Sequence, residues 1–107
     1  MFKFMICFRN PAGKSDFENI YNDFLALVER IPNIQRRQVV HVTGSPMGSP
    51  AYFRILEIYF DSNEQLQQSL MSPPGQEAGS ELRRLTAGSF DVMFAEVYEE
   101  TGGKTGG

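Results

Sequence analysis

At 107 residues with 41% hydrophobic content, the chain has room for one globular core and not for a second. Thirteen acidic residues stand against ten basic ones, and the basic residues are scattered apart from the pairs Arg36-Arg37 and Arg83-Arg84, which excludes the long basic stripe a nucleic-acid backbone requires. The single cysteine, Cys7, excludes an internal disulfide framework and an all-cysteine metal site and suits a reducing cytoplasm.

Taken in chain order, MFKFMICFRNP alternates, with Phe2, Phe4, Ile6 and Phe8 on one face and Lys3, Met5, Cys7 and Arg9 on the other. That period of two predicts a strand over 2–9 and not a signal segment. Asn10 to Gly13 reads as a loop, and Ser15 with Glu18 forms a capping box that opens a helix. Phe17, Ile20, Tyr21, Phe24, Leu27 or Val28, and Ile31 make its apolar stripe; Pro32 ends it near Arg30 or Ile31. Residues 34–44 and 51–60, either side of GSPMGSP, predict a long antiparallel hairpin. Ser62 with Gln65 makes a second capping box, opening a short helix carrying Leu66 and Leu70, which Ser72-Pro73-Pro74-Gly75 interrupts. A third helix follows, with Ala78, Leu82 and Leu85 on one side, Arg83 and Arg84 late, and Gly88 as its C-cap. FDVMFAEVY, 90–98, is the last strand, and TGGKTGG reads as a flexible tail. Its GKT triplet is no phosphate loop, because the spacing requires glycine where Tyr98 stands. No segment approaches the roughly 20 apolar residues that span a bilayer.

The order strand, helix, strand, strand, helix, strand is the α+β, ferredoxin-like βαββαβ pattern: a four-stranded antiparallel sheet with its helices on one face. With Phe4, Ile6, Val40, Val42, Leu56 and Ile58 under the helices, the bare face is expected to carry Met5, Cys7, Val39, His41, Ile55, Glu57, Tyr59, Phe94 and Glu96. So much apolar surface predicts a homodimer in which two sheets face each other.

His41, the only histidine, is a candidate acid/base because imidazole titrates near neutral pH, or else a packing residue of an apolar strand. Glu57 and Glu96 each interrupt an apolar strand, and charges are seldom buried unpaired. Converging on His41, they would raise its basicity, hold a polar group of a ligand or share a metal; otherwise they are solvated or paired with Arg9, Arg37 or Arg54. Cys7 is a nucleophile only beside a cation, and otherwise a small apolar filler. Tyr52, Tyr59 and Tyr98 each suit a ligand contact or a core boundary, and Met5 and Met93 suit an adaptable apolar pocket. The spacing enforces no metal site, and no dinucleotide fingerprint or Ser/His/Asp spacing occurs.

MFKFMICFRNP, the helix ending in LVERIPNI, IYFDSNEQLQQSLMSPPGQEAGSEL and FDVMFAEVYEE together resemble the EthD family, named for ethyl tert-butyl ether degradation, of the dimeric α+β barrel superfamily. The resemblance covers residues 2–100, so that 1–100 form the domain and 101–107 the tail. It implies a small dimer with a hydrophobic cavity in each barrel, encoded near oxidative catabolism of small organic molecules; the composition adds the expectation of a cytoplasmic protein with no membrane or nucleic-acid partner. Many family members carry a histidine in the first helix before a Pro-Leu pair; the corresponding positions here are Phe24 and Ala26-Leu27, so a role resting on that histidine, haem ligation included, does not transfer. Two readings follow. In one, the dimer binds a small apolar or aromatic molecule in its lumen, through Met5, Cys7, Val39, Ile55, Tyr59, Phe94 and Glu96, as an accessory protein. In the other it is a cofactor-free enzyme, monooxygenase or isomerase in type, with His41 and Glu57 as its catalytic pair.

Overall fold

The computed structural model describes residues 1–10, 17–86, 89–100 and 102. Seven elements follow in order: β1 (Phe2–Phe8), α1 (Phe17–Val28), β2 (Arg36–His41), β3 (Arg54–Phe60), α2 (Asn63–Met71), α3 (Pro73–Thr86) and β4 (Phe90–Glu96). The strands form one antiparallel sheet in the order β2-β3-β1-β4, which is the expected ferredoxin-like arrangement. Ser15, the Pro11–Gly13 loop, Gly88 and the tail apart from Gly102 lie outside the described residues.

Local chemistry accounts for most boundaries. The α1 helix closes in a tightened turn, Arg30 N–H donating to Leu27 and Ile31 N–H to Val28, before Pro32 forbids another helical bond. Asn33 then takes φ 68°, a left-handed conformation that asparagine tolerates, and its amide donates to Ser69 Oγ on α2 at 3.1 Å. Ser62 caps α2, accepting from Gln65 N–H at 3.1 Å, but the return bond of the expected capping box does not form: Gln65 Oε1 is buried without a hydrogen-bond partner among the described residues.

The SPPG stretch behaves differently from expectation. Only Ser72 interrupts the helices; Pro73 and Pro74 are already the first residues of α3, where a missing N–H costs nothing. Ser72 Oγ accepts from Gly75 N–H at 3.3 Å and its hydroxyl donates back to the Ser69 carbonyl at 2.6 Å. Gly75 is required: any Cβ there would collide with the backbone carbonyls of Ser69 and Leu70.

The helices cover one face of the sheet, and α1 packs on α3. The core between them contains Ile6, Phe8, Phe24, Val28, Leu56, Ile58, Phe60, Leu66, Ala78 and Leu82. Phe8, Phe17 and Tyr21 meet edge-on or stacked at 5.4–5.6 Å between centroids. Residues paired across antiparallel strands share a face, so the register decides which side each residue occupies. The central strands follow expectation, with Phe4, Ile6, Leu56 and Ile58 under the helices and Met5, Cys7, Ile55, Glu57 and Tyr59 on the open side.

The edge strands do not. His41 pairs with Arg54, Val39 with Leu56 and Arg37 with Ile58, so His41 and Val39 stand on the helix side and Val40 on the open side. In β4, Phe94 pairs with Phe4 and Glu96 with Phe2, which puts both on the helix side as well; the Phe4 and Phe94 rings lie 5.5 Å apart. The expected placement of these four residues is therefore reversed. In β2 both phases are equally apolar, and in β4 Phe90, Val92 and Phe94 form the true apolar phase against Asp91.

Candidate functional site

The open face carries a polar network at its centre. Lys3 Nζ lies 3.3 Å from Glu57 Oε2, with both side chains less than a fifth exposed. The Tyr59 hydroxyl is 3.0 Å from both Glu57 Oε1 and Gln38 Oε1, able to donate its one proton to either. The Arg36 guanidinium covers the Tyr59 ring at 4.3 Å. The charge that interrupts β3 is thus satisfied sideways, by Lys3 on the adjacent strand. None of the arginines the sequence suggested is its partner: Arg9 binds Asp91, Arg37 binds Glu29 and Arg54 binds Glu18.

At one end of this face Asp91 Oδ2 accepts from Arg9 and from the Tyr52 hydroxyl, each at 2.6 Å. The Tyr52 hydrogen bond, with Arg9 beside it, holds the Asp91 carboxyl below its usual range and pushes the Tyr52 phenol up. Burial raises the Cys7 thiol, and the carboxylates of Asp91 and Glu57 raise it further. Cys7 therefore stays protonated and packs as a small apolar group.

His41, Glu57 and Glu96 do not converge. Glu57 is on the open face, while His41 and Glu96 occupy the opposite edge strands of the other face. His41 sits opposite Arg54, whose guanidinium binds Glu18 through two bonds of 2.9 and 2.8 Å and lies over Phe17, Tyr21 and Phe53 at 4.8–5.2 Å. The Arg54 bonds hold the Glu18 carboxyl below its ordinary range. Among the described residues no three His, Cys, Asp or Glu side chains come together.

The concave site lies elsewhere, between the sheet and the helices. A cavity of about 180 Å³ opens among Ile6 and Phe4 of β1, Ile58 of β3, Phe24 and Val28 of α1, Leu70 of α2, and Ala78 and Leu82 of α3. Ile31 and Gly75 also line it, and along α3 Gln76, Gly79 and Arg83 recur at helical spacing beside this apolar stripe, Gln76 and Arg83 being the polar side chains of the lining. None of the nine residues nominated from the sequence borders it. The cavity residues read in sequence as ordinary core; the one available signal was Gly79, a glycine inside an amphipathic helix.

No family model matches the sequence. A curated protein, the uncharacterized 11.0 kDa protein in the thcB-thcC intergenic region of Rhodococcus erythropolis, is 26% identical over 102 residues, 94% of this chain and 97% of that one. The crystal structure of an ethyl tert-butyl ether degradation (EthD) family protein from Bacillus halodurans C-125 superposes with a TM-score of 0.84 at 27% identity, covering 92% of this chain and 99% of the other. The chain is EthD-like in sequence and fold. At lower identity the fold alone is shared. A dimeric ferredoxin-like protein of unknown function from Jannaschia sp. CCS1 superposes at TM-score 0.70 and 16% identity, covering 91% of this chain and 100% of that one. A cofactor-independent oxygenase from Streptomyces nogalater does so at 0.67 and 13%, covering 92% and 94%. Among the described residues no helix of this EthD-like chain is long and apolar enough to cross a membrane.

Proposed function

We propose that this EthD-like protein binds a small apolar or aromatic organic molecule in the helix–sheet cavity, as a cytoplasmic homodimer accessory to oxidative catabolism. The cavity carries the reading. It is a concave, mostly apolar recess that opens beside α3, so its lining leaves apolar surface that a bound ring would remove from water. An apolar cavity of roughly 150 Å³ accepts benzene, so the space matches a single ring.

The dimeric ferredoxin-like relative and the exposed Met93 on the open face support a dimer formed through that face. In it the Lys3–Glu57–Tyr59 network lies at the contact and sets its register, while Met5, Cys7 and Ile55 line the space between the sheets. The cofactor-free enzyme built on His41 and Glu57 needs the two together, and they stand on opposite faces. The oxidative setting rests on the likeness to an EthD family protein and on the oxygenase that shares the fold.

Methyl NMR of the protein titrated with toluene tests the site. Perturbed methyls are expected at Ile6, Val28, Ile58, Leu70 and Leu82. Shifts concentrated instead at Met5, Ile55 and Met93 would move the ligand to the space between the sheets and remove the cavity reading.

A further inference from the structure

Resting on the cavity reading, we infer that the ligand is a small ring-bearing carboxylate, with its ring in the apolar cavity and its anionic group on Arg83. Among the described residues Arg83 is alone in its charge environment. Lys3, Arg9, Arg30, Arg37, Arg54 and Arg84 each hold a carboxylate, and Arg36 lies over the Tyr59 ring. Arg83 has neither an acidic partner nor a ring contact, yet it borders the cavity. Its neighbour Arg84 already supplies a cation to the last turn of α3, paired with Glu81 at 2.6 Å, so favourable interaction with the helix dipole does not require a second.

The geometry of α3 supports the same assignment. Gln76 and Arg83 are seven residues apart on one stripe, about 10 Å along the axis, with Gly79 between them. A Cβ at Gly79 would meet nothing within 4 Å, so the rim is open midway between the amide and the guanidinium. Glycine there costs the helix about 0.5–1 kcal/mol relative to alanine, and no close contact demands it. Passage into the cavity is the use that remains. A carboxylate suits a free guanidinium because two parallel N–H···O bonds can form. The volume admits one ring of benzene size and leaves the charged substituent at the solvent end, since Arg83 is exposed while Ile6, Phe24, Val28 and Ile58 are buried.

Benzoate and its uncharged isostere benzamide separate the charge from the shape. Titrated into the full chain at pH 7 by calorimetry and methyl NMR, benzoate is expected to bind about 10-fold tighter or more than benzamide. Arg83→Gln should abolish that preference, while Arg84→Gln preserves it. The preference should also shrink with added salt. Circular dichroism and Tm verify that both variants fold. Benzamide binding in the cavity as tightly as benzoate, or an unaltered benzoate affinity in Arg83→Gln, overturns this inference and leaves the cavity reading intact. If neither probe nor toluene moves a cavity methyl, the cavity reading fails and this inference falls with it.

Discussion

The two faces of β1 and β3 solve opposite problems with neighbouring residues. On the helix side Phe4, Ile6, Leu56 and Ile58 are covered from above by α1 and α3, and each large apolar side chain so buried contributes about 1.5–3 kcal/mol. On the open side Lys3, Cys7, Glu57 and Tyr59 are largely buried without a layer above them, because cross-strand neighbours shield one another within the sheet. The covered face is apolar and imperfectly filled; the open face is polar at its centre and fully partnered. A void under helices is a place for a ligand, whereas a satisfied charge network on a flat sheet favours one registered contact over many.

That contrast can be broken from either side. The largest expected effect is on the covered face. Gly75→Val drives a branched side chain into the Ser69 and Leu70 carbonyls, which as backbone cannot swing away, and should cost about 3–4 kcal/mol, lowering Tm by more than about 10 °C. A smaller change would mean that α2 and α3 separate easily and that the cavity is not firmly walled. On the open face, Met93→Asp puts an unpaired charge where the partner sheet is expected. Dimer dissociation should rise roughly 100-fold, about 2–3 kcal/mol, in sedimentation experiments. Unchanged association would move the interface away from this face.

Next in size is the Arg54 cluster on the helix side of the first residue of β3. Glu18→Gln should cost about 1 kcal/mol at pH 7, limited by the solvent around Glu18. Because Arg54 holds the Glu18 carboxyl below its ordinary value of about 4.3, the pair's contribution is present above that pH and is lost as pH falls through the depressed value. Denaturant melts of the two proteins should therefore converge in acid. The smallest effect has the opposite sign. Gly79→Ala should stabilise α3 by about 0.5–1 kcal/mol while weakening toluene and benzoate binding, a trade a purely structural glycine would not show.

Much of the fold was legible because it rests on local rules. The alternation in MFKFMICF, the Ser62 N-cap and the Pro32 stop each act within a few residues, and the structure keeps all three. The SPPG stretch was misjudged because a proline ends one helix and begins the next by the same chemistry, and only the contact of Gly75 with α2 shows which. His41 and Val39 were placed on the wrong face because Val39 and Val40 are equally apolar, so periodicity alone has no preferred phase in β2. Phe94 and Glu96 followed the same error, although Asp91 marked the polar phase of β4.

By itself the sequence determined the order and type of the elements and the two apolar faces of the central strands, because caps, breakers and a period of two are properties of neighbouring residues. The tertiary structure decided which side the edge strands turn, that Glu57 belongs to Lys3, and that a cavity opens between the helices and the sheet with Arg83 at its edge, unpaired among the described residues. Those facts depend on strand register and on how whole elements stack, and register and stacking join residues that are tens of positions apart in the chain.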